Sequence, residues 1–285
     1  MSAVLHATRA ELLRLRRWPA VWITVGAWAA LALTFGYVFD YVSWATGTES
    51  FASDPGTGEA ARDALLAGLL PQAVPDVLVQ GMPMFGGALA MVLGALVAGN
   101  GFGWGTWKTA FTQGPSRGAV VGGSLTALSV FVALMVGATL VLFTVVSAGI
   151  ALAEDQAIVW PTASATAQAV GGGLLVLEMW ALLGYAVGIL ARGPALAVGL
   201  GLVWALVVEN LLRGVGSLLD AVEQVTRFLP GTAAGSLVGA LTGPGTGTPG
   251  VLDVLPGDRA VATVAAYVVG LCAVVVVVLR RRDLA

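Results

Sequence analysis

Few side chains in this 285-residue sequence could do chemistry. There is one histidine, His6, and one cysteine, Cys272. A metal cluster built from His and Cys, a histidine-based catalytic dyad and an intramolecular disulfide are therefore all excluded. No G-x-x-x-x-G-K-[ST] phosphate loop occurs anywhere, so the chain carries no nucleotide motor of that kind. Two features remain. One is Glu178, an acid near the middle of a long apolar run. The other is the short cationic segment Gly105–Gly118, GTWKTAFTQGPSRG, lying between two such runs.

An acid at the centre of a membrane helix costs on the order of 2.5–3.5 kcal/mol to insert. Glu178 should therefore face a cavity, a partner helix or a second protein copy. It reads either as a substrate or proton site or as a protonated or paired structural acid. Met82, Met84 and Phe85 open another apolar run, where they either line a greasy path or face lipid and core. Glu209 and Asn210 fall near a run's end and read as interfacial. Gly184 and Gly188 form a small-xxx-small pair that permits close helix packing. A membrane-embedded protease would need histidines or paired carboxylates within the runs, and neither is present.

In the cationic segment, Trp107, Ala110, Phe111 and Gly114 follow the i, i+3, i+4, i+7 spacing of one helix face. Lys108, Thr112 and Pro115 lie off that face, and Gly114-Pro115 ends the pattern. The spacing predicts a helix of roughly two turns, about 13 Å long. The competing reading is a solvated loop whose aromatic rings anchor to the interface.

Composition fixes what must hold these groups. Hydrophobic residues make up 58% of the chain and charged residues 11%, against about 25% charged in soluble domains. This is an all-α integral membrane protein. Six runs reach the length of about 20 apolar residues needed to cross a bilayer: 18–39, 81–99, 118–153, 166–191, 194–212 and 260–279. Backbone groups cannot stay unpaired in lipid, so all six are helices, within one transmembrane domain covering 1–285. Arg9, Arg14, Arg16, Arg17, Lys108, Arg117, Arg192, Arg280, Arg281 and Arg282 then fall on one side. Only Arg62, Arg213, Arg227 and Arg259 fall on the other. Basic residues mark the cytoplasmic side, which places both termini in the cytoplasm of a cell-membrane protein. Trp18, Trp22, Trp104 and Trp107 mark the inner interface, and Trp44 and Trp160 the outer one.

Residues 1–17 put Val4, Leu5, Thr8, Leu12 and Leu15 in one helical arc, with Arg9, Arg14, Arg16 and Arg17 outside it. That is an interfacial helix with its cations towards anionic headgroups, or else an ordinary basic flank. The outer loop from Asp40 to Gln80 contains one short helical pattern, EAARDALLAGLL. Residues 213–259 read as a short amphipathic helix over 218–229, then TAAGSLVGAL, which is too short to span and so interfacial or re-entrant, then a flexible loop.

The stretch GTWKTAFTQGPSRGAVVGGSL resembles the first cytoplasmic loop of ABC type-2 permeases, the membrane subunits of ATP-driven exporters. The amphipathic N-terminal helix, the six spans and the broken helices around FLPGTAAGSL fit the same layout. The resemblance implies that 105–117 is a coupling helix between spans two and three. Thr106, Trp107, Lys108, Phe111, Gln113 and Arg117 would then engage a separate cytoplasmic ABC ATPase subunit, which would hold ATP and Mg. A second permease copy, identical or related, would complete a dimer. Glu178, Met82 and Phe85 would line the path of a hydrophobic or amphiphilic substrate. No cofactor, metal or nucleic acid is expected for this chain itself. The rival function is a secondary transporter or channel working without ATP, for which several intramembrane charges would be expected; only Glu178 is central.

Overall fold

The computed structural model describes residues 2–47, 58–113, 116–216, 218–243 and 248–281. Among them the chain is helical and has no strand. In order the helices are α1 (Ser2–Arg17), α2 (Pro19–Thr46), α3 (Glu59–Leu69), α4 (Val74–Gln80) and α5 (Met82–Gly103). There follow α6 (Thr106–Gln113), α7 (Arg117–Ala153), α8 (Ala163–Ala191) and α9 (Pro194–Gly216). The last three are α10 (Asp220–Thr226), α11 (Pro230–Thr242) and α12 (Gly257–Arg281). Six of them, α2, α5, α7, α8, α9 and α12, are long and apolar enough to cross a membrane. The chain is a multi-pass helical membrane protein.

The helix starts follow local chemistry. Prolines in the first turn open α2, α4, α9 and α11, where a missing N–H costs nothing. Ser116 caps α7 by accepting from the Ala119 N–H, and Thr162 caps α8 by accepting from Ala165. Arg192, in the left-handed region at φ 55°, ends α8 and turns the chain directly into α9. With 37 residues, α7 is about 55 Å long, well beyond the roughly 30 Å of a hydrocarbon core.

The centre of the bundle is the contact between α5 and α8. A Cβ on Gly94 would lie 1.9 Å from the Ala181 carbonyl oxygen, and one on Gly184 would lie 1.9 Å from that of Met91. These helices therefore touch backbone to backbone. Gly188 extends the seam, facing Ala95 and Ala98. Large side chains close around it, with Trp28, Trp180, Tyr185, Met91 and Leu93 all buried. The first span is tied in by Trp28 Nε1, which donates to Thr139 Oγ1 of α7 at 2.8 Å.

One segment departs from the loop expected of it, and a second takes one of the two placements expected of it. Residues 71–80, assigned by sequence to a long outer loop, form a 3-10 turn and α4, with Pro71, Val74, Pro75, Leu78 and Val79 buried. They pack against α7 and α8. The segment α11 is buried from Thr232 to Val238 between α8, α12, α4 and the start of α5; it is inserted in the bundle rather than laid on its surface. Its small residues Ala233, Ala234, Gly235 and Ser236 make that insertion possible. By contrast α10 is shorter than the amphipathic pattern over 218–229. Leu218, Leu219 and Val225 of that stripe are exposed while Val222 and Leu229 are half-buried, so it packs on the protein only in part.

Among the described residues, regular helix gives way in three places. Residues Thr34–Val38 in α2, Met82–Gly86 in α5 and Val203–Val208 in α9 are π-helical. The first two meet, with Phe35 and Phe85 stacked at 4.8 Å between ring centroids.

If the α5–α8 seam holds the fold, Gly184→Ala destabilises the protein by at least about 2 kcal/mol through overpacking. Gly137→Ala, at a position with nothing within 4 Å of the added methyl, leaves stability unchanged or slightly raised. Thermal melting of the two variants in lipid nanodiscs measures the difference.

Candidate functional site

The cationic segment is helical, as α6. Its apolar face turns inward. Trp107 is 6% exposed and its Nε1 donates to the Ala98 carbonyl of α5 at 3.0 Å. A Cβ on Gly101 would sit 2.1 Å from that nitrogen, so the indole is seated against bare backbone. Phe111 packs on Trp107 at 5.5 Å, and the Arg117 guanidinium lies over the Phe111 ring at 5.6 Å. Thr106 is half-buried beside Trp107. Lys108, Thr109 and Thr112 form the exposed face.

Trp107 is therefore a packing residue and not part of the interfacial belt with Trp104, which is 59% exposed. Of the residues assigned to partner contact, Trp107 and Phe111 hold α6 to the bundle, and Lys108 is the one with its side chain on the open face. The side chain of Gln113 lies outside the described residues, as does Gly114-Pro115, to which the helix end was assigned.

Beside α6 stands α1, which crosses α7 closely. A Cβ on Gly123 would meet Ala7 Cβ at 2.6 Å and the Thr8 nitrogen at 2.8 Å. The packed face of α1 is Ala7, Thr8, Glu11, Leu12, Arg14 and Leu15; Val4 and Leu5 are exposed. Arg9, Arg16 and Arg17 point outward as the sequence pattern implies, whereas Arg14 does not. Its Nη2 pairs with Glu11 Oε1 and reaches the Val97 carbonyl of α5 at 3.4 Å. Ser124 of α7 donates to the same Glu11 oxygen at 3.3 Å, and the Tyr185 hydroxyl of α8 donates to Ser124 at 3.1 Å. This chain of bonds joins α1 to three spans. Between α1, α6 and α7 lies a half-open cavity of about 470 Å³, lined by His6, Glu11, Arg14, Thr106, Trp107 and Ser124 among others.

Glu178 sits on α8 facing α7 and α12. Ser129 Oγ donates to its Oε1 at 2.7 Å, and Cys272 of α12 is within electrostatic reach. Met82 and Phe85 do not join it. Met82 is fully buried in the core with its sulfur against Gly173. Phe85 instead borders a small cavity of about 40 Å³ with Trp28, Phe35 and Phe143.

At the opposite end of the bundle from α1, Glu209 is wholly buried, not interfacial. Its Oε2 accepts the Gly231 N–H at 2.8 Å and its Oε1 accepts the Trp204 Nε1–H at 3.0 Å. The carboxylate thus caps the first turn of α11, where free N–H groups and the helix dipole favour negative charge. The π-turn before it, with i→i+5 bonds, brings Trp204 and Glu209 to the same side. A side chain at 231 would collide with the acid, since its Cβ would be 2.2 Å from Oε2. The sequence contains Glu209 and the Pro230-Gly231 helix start, but only the fold brings them together. Glu11, Ser124 and Tyr185 likewise carry no mark of their own in the sequence.

No protein-family model matches this chain, and no curated protein matches it. What the fold defines is the class, a six-span helical membrane protein with a short helix seated between its second and third spans.

Two expectations follow from these contacts. Trp107→Ala removes the anchor of α6, and amide exchange over residues 106–113 rises at least about tenfold, the scale of losing a buried aromatic side chain, while α8 keeps its protection. Gly231→Ala displaces Glu209 and loosens α11, read as faster amide exchange across residues 232–238; unchanged exchange there refutes the capping role.

Proposed function

We propose that this chain is the membrane subunit of an ABC exporter, moving a hydrophobic or amphiphilic substrate across the cytoplasmic membrane by alternating access. A separate cytoplasmic ATP-binding subunit supplies the energy, and a second permease copy completes the pathway. The observation that carries the proposal is the mounting of α6. A two-turn helix too short to span is fixed through Trp107 to the end of one span, and Ser116 starts the next span just beyond it. Its polar face, Lys108, Thr109 and Thr112, is turned away from the bundle. A push on that face is delivered to α5 directly and to α7 through the Phe111–Arg117 contact.

The absence of a phosphate loop from the sequence fits a chain that must borrow its motor. The bonded chain from Glu11 to Tyr185 supports the same reading, because it makes α1 move with spans α7 and α8. With the excess of basic residues at the α1 end facing the cytoplasm, both α1 and α6 meet the partner from one side.

Reversing and crowding the open face tests this. Lys108→Glu combined with Thr112→Glu lowers co-purification of a cytoplasmic ATPase at least about tenfold, as expected for like-charge or desolvated contacts at an interface, and leaves thermal melting unchanged. Full transport by the purified chain in vesicles without any nucleotide hydrolase would overturn the proposal in favour of an ATP-independent carrier.

A further inference from the structure

Glu178 differs from Glu11 and Glu209 in what it lacks. Glu11 has Arg14, and both oxygens of Glu209 are taken by N–H donors. Glu178 accepts one hydrogen bond, from Ser129, and among the described residues no Lys, Arg or His pairs with it. It lies 15 residues from one end of α8 and 13 from the other, so each end is about 20 Å away and the carboxylate stands at mid-depth. The side chain is half-buried rather than sealed, and so are Ser129 and Cys272 on the facing helices. It therefore stays partly accessible where α7, α8 and α12 meet. Leu174 and Leu175, one turn away on the same face of α8, are also half-buried and offer apolar surface beside it.

A carboxylate in such surroundings has spare lone pairs and no counter-ion of its own. We propose that Glu178 anchors a binding site for cationic amphiphiles, whose charge supplies the missing counter-ion while their apolar body lies against the leucines. A neutral amphiphile gains nothing from the acid, and an anionic one is repelled. As the substrate class of the exporter this rests on the proposed function, but binding itself requires no ATPase.

The experiment uses the full chain in nanodiscs of zwitterionic lipid, without nucleotide, and two ions of nearly equal size and shape. Tetraphenylphosphonium binds the wild type and tetraphenylborate does not. Glu178→Gln weakens phosphonium binding at least about tenfold, the scale of losing one member of a desolvated charge pair, and Glu178→Asp retains part of it. Saturating phosphonium also slows labelling of Glu178 by dicyclohexylcarbodiimide, which decides the matter if the Gln variant fails to fold. Equal binding of the two ions, equal binding by wild type and Glu178→Gln, or labelling indifferent to the cation would each overturn the site. None of these outcomes bears on whether α6 engages an ATPase.

Discussion

Everything in this bundle is placed by the approach of two backbones. In lipid there is no hydrophobic gain from burying one leucine against another, so helices associate where small residues allow dispersion contacts at short range. Gly94 and Gly184 bring α5 and α8 so close that neither position has room for a methyl group. Around that seam the aromatic side chains Trp28, Trp180 and Tyr185 fill the remaining space. The same device recurs where α1 meets α7 at Gly123 and where the start of α9 meets α5 at Gly99.

Polar groups then act as pins on a frame set by packing. Two acids, Glu11 half-buried and Glu209 buried, serve different joints. Glu11 is shared by an arginine and a serine and locks a peripheral helix to the core. Glu209 takes the orphan N–H of an inserted helix and ties it to α9. A carboxylate removed wholly or partly from water is tolerable in either place because its lone pairs are used. Against that background the single bond made by Glu178 stands out as an incomplete arrangement, and Glu178 is the acid at mid-depth.

The spans were legible because a bilayer imposes a length, and an apolar run of the right length has one solution. The helicity of α6 was legible in the spacing of Trp107, Ala110 and Phe111, although the direction in which that face points was not. A stripe seen in sequence names the side that is buried; it does not say whether lipid, protein or a partner buries it. That ambiguity explains α1 as well. There Ala7 and the charged pair Glu11–Arg14 meet the bundle beside Thr8, Leu12 and Leu15 of the stripe, while Val4 and Leu5 stay largely exposed. The buried helix α4 escaped notice because seven residues are too few for a period, and its signal was two prolines at helix starts within an acidic loop. Glu209 could not be paired from sequence because its partner lies 22 residues downstream across a turn and another helix.

The helix α9 is held over its first turns, where Ala197 and Gly201 are buried, and again at Glu209, with an exposed stretch between. One end turns tightly out of Arg192 and rests on Gly99, and the other is pinned through Glu209 to α11. Only 17% of its apolar stretch is buried, and Leu200, Val203 and Val207 along it are exposed around the π-turn. A beam clamped at both supports and unsupported at mid-length flexes before it comes loose. Bowing of this one rod could therefore widen or narrow the space beside it while every joint in the scaffold stays fastened.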